Sequence, residues 1–446
     1  MKLWQKDIQV NQEIERFTVG NDNVLDLKLA PYDVLGSLAH ITMLETIGLL
    51  TSDELKLLKK ELVDLYNEFE INGIEIEAGV EDIHSQVELI LTRKLGDIGK
   101  KIHSGRSRND QVLVDLKLFS RDAIEHTVHL TEKLFQRLIL LSEQHKETLL
   151  PGYTHLQIAM PSSFGLWFGA YAEALVDDLR TMRAAYEIAN KNPLGSGAGY
   201  GSSFPLNRTL TTELLGFSQM HVNVVYAQMS RGKTEYVVTS AISNIAGTLS
   251  RLSMDVCLYI SQNFGFISFP DELTTGSSIM PHKKNPDVFE LIRAKCNKLK
   301  AIPVQIGQII NNLPSGYHRD MQVIKELFMD TFDEINDCLA IAEYMLSNIE
   351  VKTNIVQQEK YDYLFSVERV NELVLQGVPF RDAYKQVGKE IGEGNFKPSY
   401  EVKHTHEGSI GNLGNDLIKT EMINMLNSFG FDEKNEAIKL LLGRLK

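Results

Sequence analysis

The stretch from Arg106 to Leu150, RSRNDQVLVDLKLFSRDAIEHTVHLTEKLFQRLILLSEQHKETLL, contains neither Pro nor Gly. Within it Val112, Leu116, Phe119, Ala123, Leu134 and Leu138 recur mainly at three- and four-residue steps, the spacing of one face of an α-helix. At ~1.5 Å per residue, ~40 residues run ~60 Å, well beyond an ordinary globular helix. Pro151-Gly152 stops it.

The chain beyond it repeats the theme. A second helix is expected from Pro161, a proline at a first helical position, to about Asn190. The Gly-rich NPLGSGAGYGSSFPLNR (Asn192 to Arg208) is a long loop. A third helix runs from near Lys233 to Asn263, and a fourth from Pro286 with a kink at Pro303. LPSGYHRD (Leu313 to Asp320) breaks the chain, and a fifth helix covers roughly Met321 to Ile349. Five long helices with almost no β-type alternation predict an all-α fold: an elongated central bundle over residues 106–352. Shorter helical patterns at 1–105 and 353–446 predict smaller, mostly helical domains at its ends. The long helices carry more apolar surface than one antiparallel bundle buries, which predicts a homo-oligomer built along them.

The totals restrict function. At 446 residues, 43% hydrophobic and 24% charged, the chain has the composition of a soluble globular protein. A formal net charge of −13 speaks against a general nucleic-acid or anionic-membrane binder. An anionic substrate therefore needs a local cluster of Lys and Arg. No apolar run approaches the ~20 residues of a membrane span, and MKLWQKDIQVNQEIERF, at the N-terminus, has acidic and amide residues where a signal peptide is apolar. The three cysteines, Cys257, Cys296 and Cys338, fall inside helical patterns without metal-ligand spacing, which fits a reducing cytoplasm. His404 and His406 in KHTHEG lack a carboxylate or Cys partner in sequence and read as a solvated loop. No metal or other cofactor is expected.

Polar residues gather at the helix breaks. LTTGSSIMPHKKNPDVFELI (Leu273 to Ile292) joins small residues and two lysines to a helix start, with Asn285 as expected N-cap, Pro286 at the first position and an acid in the first turn. Lys283 and Lys284 at the positive end of a helix dipole suit a carboxylate or a developing oxyanion. Gly276, Ser277 and Ser278 are what a loop closing over a ligand contains. A solvated surface loop has the same composition, and alone the two readings stand about even. HSGRSRNDQ (His103 to Gln111) adds Arg106, Arg108 and Asn109; arginines match carboxylates through paired donors. PGYTHLQ (Pro151 to Gln157) exposes Thr154 and His155 between helices, and His is the usual general acid or base near neutral pH. LPSGYHRDMQVIKE (Leu313 to Glu326) contributes Tyr317, Arg319, Gln322 and Lys325.

GSSIMPHKKNP resembles the signature of the fumarase/aspartase superfamily, whose members eliminate fumarate from succinyl-type substrates. GRSRNDQ together with YTHLQ, LPSGY and VPFRDAYKQVG (Val378 to Gly388) resembles the argininosuccinate lyase family within it, over roughly Glu15 to the C-terminal region. The resemblance implies a homotetramer whose active sites combine loops of three subunits, and the closing step of arginine biosynthesis. It implies Ser277 as catalytic base, His155 as the catalytic histidine on the other side of the substrate, and Glu290 as the residue that orients that histidine. Lys283 and Asn285 would hold the charge that develops on the substrate. Arg108, Asn109, Thr154, Tyr317, Gln322 and Lys325 would bind substrate. Two departures stand out: Asn21 or Asp22 falls where the family has Ser, and QMSRGKTE keeps Arg231 but has Gly232 in place of Asp.

The chemistry makes the same demands. Breaking the C–N bond of argininosuccinate by anti-elimination removes a weakly acidic proton next to a carboxylate and leaves a second negative charge on that group. The site must hold a dianion, supply a base, and protonate the departing nitrogen. Two alternatives remain: another fumarate-releasing lyase, such as adenylosuccinate lyase, and a structural protein on the same bundle, as lens crystallins are. A structural protein has no use for Ser277, His155, Lys283 and Glu290 together.

Overall fold

The computed structural model describes residues 12–77 and 79–444. Most of the N-terminal stretch read above for a leader, residues 1–11, lies outside the described residues. Helices α1 (Gln12–Val19), α2 (Asp22–Thr46), α3 (Ser52–Asn72), α4 (Ile83–Leu95) and the one-turn α5 (Asp97–Lys100) precede α6 (Arg108–Gln144). At 25 and 21 residues, α2 and α3 are longer than the patterns suggested, and α2 runs through Pro31. Helix α6 is one unbroken helix of 37 residues. Its start is fixed by a capping box: Ser107 Oγ accepts from Asn109 N at 3.3 Å, and the Asp110 carboxylate accepts from Ser107 N at 2.8 Å.

The break after α6 is a β-hairpin. Strands β1 (Leu149–Thr154) and β2 (Gln157–Ser163) pair antiparallel with Pro151 opposite Pro161. Pro161 therefore lies in a strand, and α7 (Phe164–Ala189) starts three residues later, capped by Ser163. A two-stranded ribbon has only edge strands, and these tolerate a missing donor. Two-residue parallel strands β3 (Lys191–Asn192) and β4 (Gln219–Met220) flank the Gly-rich loop and α8 (Arg208–Leu214). Then come α9 (Val224–Met229), α10 (Lys233–Ile260), the strand β5 (Ile267–Ser268), α11 (Asp287–Leu299), α12 (Ile302–Ile309) and α13 (Ile324–Ser347). The expected kink is the break between α11 and α12, with Pro303 in the first turn of α12. Strand β6 (Glu350–Val351) pairs with β5, and α14 (Ser366–Leu375), α15 (Phe380–Gly392), α16 (Asn415–Asn427) and α17 (Phe431–Leu441) follow.

The all-α bundle is built from α6, α7, α10, α11–α12 and α13. Helix α7 lies against α6 and α10, and α13 against α6, α10 and α11. Phe119 of α6 meets Phe328 and Phe332 of α13 edge-on, at 6.2 and 5.8 Å between ring centres. Each such pair adds about 0.5–1.5 kcal/mol to simple burial. A second core joins α2, α3 and α4, and Leu441 and Leu442 from the far end of the chain belong to it. Helices α14 and α15 share a small cluster of Val370, Leu373, Ala383 and Val387, while α16 packs on α6 and α7 and α17 on α2 and α8. Among the described residues no helix is long and apolar enough to cross a membrane. His404 is not simply solvated: its Nε2 lies 3.0 Å from Glu368 Oε1, a carboxylate partner distant in sequence.

Candidate active site

The head of α6, the first turns of α2 and α4, and the segment 317–325 enclose a cavity of about 210 Å³. Arg108, Asn109, Tyr317, Gln322 and Lys325, all expected to bind substrate, line it together. So do Asp22, Asp26, Glu81, Asp82, His84 and Arg231. The cations are held by acids. Arg108 Nη1 lies 2.9 Å from Glu81 Oε2 and 3.2 Å from Asp82 Oδ2, and its Nη2 donates to Ser85 Oγ at 2.6 Å. Lys325 Nζ reaches Asp26 Oδ1 at 2.6 Å and Asp22 Oδ1 at 2.8 Å. Burial works against the Lys325 charge, but Asp26 and Asp22 outweigh it and hold its pKa above the ordinary lysine value. Gln322 Nε2 donates to the carbonyls of Thr18 and Val19 at 2.8 and 3.0 Å, closing the α1–α2 corner over the site. A small-ligand site usually offers ~300–1,000 Å³, so this cavity is the size of part of one.

The departures are explained here. Asp22, one of the two residues that fall where the family has Ser, is an ion-pair partner of Lys325. Arg231 is buried, its guanidinium 5.7 Å from the Tyr317 ring centre and donating to Met321 O at 3.3 Å. Gly232 has φ +77°, a conformation that favours glycine, and a Cβ there would meet Ile310 at 2.5 Å. A side chain there would be strained and would have to displace Ile310. Sequence reasoning passed over Glu81, Asp82 and His84; the only available signal was the density of polar residues in EDIHS, with Asp82 as cap of α4.

Thr154 and His155 sit at the exposed tip of the β1–β2 hairpin. His155 and Leu156 have φ of 54° and 58°, as the two central residues of a type I′ turn require. Neither is Gly, and a left-handed non-Gly residue costs about 1–2 kcal/mol. Strain of this kind clusters at functional sites.

Ser277, Lys283 and Asn285 lie on the loop before α11. Asn285 is not the N-cap: α11 begins at Asp287, and the Asn285 amide instead donates to Thr275 Oγ1 and Gly276 O, both at 3.4 Å. With Asn285 N donating to Thr275 O at 2.8 Å, it closes the base of the loop. Ser277 Oγ accepts from Met280 N at 3.2 Å and Ile279 N at 3.4 Å, and Lys284 pairs with Asp271. Glu290 is exposed in the first turn of α11. Among the described residues no hydrogen bond or ion pair joins Ser277, His155 and Glu290, and none of the three lines the cavity. One chain therefore presents three separate groups: a cationic cavity, a hairpin tip and a Ser-Lys loop.

The Ser-Lys loop is pinned at its base but bare at its tip, where Ile279 is 83% exposed. Amides from Gly276 to Met280 are expected to exchange hydrogen fast in the free protein and slow markedly with argininosuccinate, as a closing lid does. Strong, equal protection in both states would mean a preformed loop.

A family model described as "Lyase" matches residues 7–301. The chain is 62% identical to the argininosuccinate lyase of Bacteroides fragilis over 443 residues, covering 99% of both chains. It is 39% identical to that of Thermotoga neapolitana, over 88% of this chain and 98% of the relative. In fold it is similar to an EDDS lyase variant with bound fumarate, at 20% identity and TM-score 0.76 over 96% of this chain and 94% of that one. A recombinant class II fumarase from Schistosoma mansoni matches at 16% identity and TM-score 0.70 over 96% and 94%. With its long-helix bundle, its loop motifs and relatives matched end to end, the chain belongs to the argininosuccinate lyase family of the fumarase/aspartase superfamily.

Proposed function

We propose that the chain eliminates fumarate from argininosuccinate and releases arginine, by anti-elimination through a carbanion. The observation that carries this reading is the convergence of Arg108, Asn109, Tyr317, Gln322 and Lys325 on one cavity that also carries Arg231 and Arg319. The acids paired with Arg108 and Lys325 keep these side chains charged and aimed, and their remaining N–H donors suit the carboxylates of a succinyl group. Thr154 and Asn285 complete the binding set. Ser277 takes the proton, and the carbanion's second charge falls to Lys283, Asn285 and the start of α11. His155 acts on the opposite face, its basicity raised by Glu290.

The active unit is a homotetramer with sites shared between subunits. Three separate groups in one chain support this, as do the exposed apolar residues Tyr236 and Met254 of α10, Leu291 of α11, Val304 of α12, and Ile341 and Tyr344 of α13. The hairpin tip carries Leu156, 76% exposed, in a strained turn, which suits insertion into a neighbour. Each chain comprises three units, 1–105, 106–352 and 353–446, with α16 and α17 of the last docked on the other two. Three cysteines without a disulfide support a cytoplasmic location.

Purified protein given argininosuccinate is expected to release arginine and fumarate in equal amounts, fumarate being followed by ultraviolet absorbance. Preference for adenylosuccinate, or no turnover in a well-folded tetramer, would overturn the reading.

A further inference from the structure

Where His84 lines the cavity, three side chains without a part in the elimination meet. His84, in the first turn of α4, places Nδ1 2.7 Å from Asp33 Oδ1 of α2 and 3.6 Å from Asp115 Oδ2 of α6. All three are buried. One ligand atom from each lies within 4.8 Å of the others, a spacing that could gather a metal ion. The carboxyl groups already face basic side chains. Arg106, half-buried, faces Asp33, Asp110 and Asp115 and donates to Ser37 Oγ at 3.0 Å. Burial pushes the His84 imidazole toward its neutral form, but the charge and hydrogen bond of Asp33, then Asp115 and Asp82, reverse this and hold its pKa up to about 9. Burial, then the charge of Asp33, pushes the Asp115 carboxyl well above the ordinary carboxylate range, so the charge contact at the centre of the group is the hydrogen-bonded His84–Asp33 pair.

The neighbours of His84 in the chain do the holding at the cavity wall. Asp82 and Ser85, on either side of it, are the residues that grip the Arg108 guanidinium at 3.2 and 2.6 Å. We propose that His84 is a positioning residue: clamped between Asp33 and Asp115, it fixes the first turn of α4 against α2 and α6, so that Asp82 and Ser85 aim Arg108 at a substrate carboxylate. The substrate part rests on the function proposed above; the clamp rests on the packing alone. Misplacing a binding group by ~1 Å costs on the order of 100-fold in rate, so a buried contact that sets this orientation has leverage on binding.

The test uses His84→Asn, whose amide reaches Asp33 in place of Nδ1 but carries no charge, together with Arg108→Lys and the double variant. H84N is expected to raise KM for argininosuccinate at least tenfold while kcat stays within about threefold. In the R108K background the same substitution should change KM by less than about twofold, because both act through one contact. Additive effects, or a lowered melting temperature with unchanged KM, would overturn the proposal. If H84N does not fold, Asp115→Asn, which leaves the His84–Asp33 pair in place, is expected to give the same KM pattern, and a normal KM there overturns it equally. Should the unsubstituted protein release no fumarate, the function fails and the clamp is judged by hydrogen exchange. The amides of Ser85, Gln86 and Gln111 should then lose at least tenfold protection in H84N, with those of Ile242 to Leu252 unchanged. Unaltered protection, or loss throughout, would sink it.

Discussion

Replacing Ser277 by Ala is expected to lower kcat by about 10³ or more while leaving assembly and melting temperature intact, as loss of a base does. A free Ser hydroxyl is far too weak to take the proton. What the loop adds is visible around the oxygen: Ser277 Oγ already accepts from two backbone N–H groups, of Met280 and Ile279, and Lys283 follows on the same loop. Donors aimed at an oxygen favour its ionised form. Ala removes the oxygen and little else, because Ser277 touches no core residue cluster. Steady-state kinetics with argininosuccinate, beside size-exclusion and melting controls, decides the matter. A variant with near wild-type kcat ends the assignment of Ser277 as base.

Activity is expected to return when two inactive proteins are combined. His155→Asn and Ser277→Ala tetramers, each inactive, are mixed, dissociated and reassembled. If the hairpin tip and the Ser-Lys loop of one site come from different subunits, about a quarter of sites in a random equal mixture hold both native residues. Pairing Ser277→Ala with Lys283→Ala instead should restore nothing, since those two residues share one loop. Equal results from the two pairings would place the hairpin and the loop of each site in one subunit.

The bundle was legible because its signal is long and local: no Pro or Gly interrupts α6, although the helix stops at Gln144 and Pro151-Gly152, expected to end it, falls inside β1. The hairpin was hidden, because its turn is His155-Leu156, where Asn-Gly would have announced a type I′ turn, and Pro161 imitates a helix start. Asn285 imitates an N-cap for the same reason: the residue type is right, but its amide is occupied by Thr275 and Gly276 in closing the loop. Lys325 and Arg108 could be read from motif and charge. Their partners Asp22, Asp26, Glu81 and Asp82 could not, since a pairing such as that of Lys325 with Asp26, 299 positions apart, leaves no periodic trace. The His404–Glu368 pair escaped in the same way.

The docking of α17 bears on how the chain acquires its structure. Lys434 meets Asp122 and Glu125, and Leu441 and Leu442 complete the core of α2, α3 and α4. The Lys434–Asp122 contact spans 312 positions, and at ~5–20 residues per second the ribosome needs on the order of 15–60 s to make that length. For that interval the wall formed by α2 and α8 emerges without its cover. Long-range closure of this kind slows folding and prolongs the exposure of sticky intermediates. Helix α2, whose Asp22 and Asp26 hold Lys325, is therefore covered on one side by a module that is finished last, and a chain released early would carry every motif of the family on a frame that never sealed.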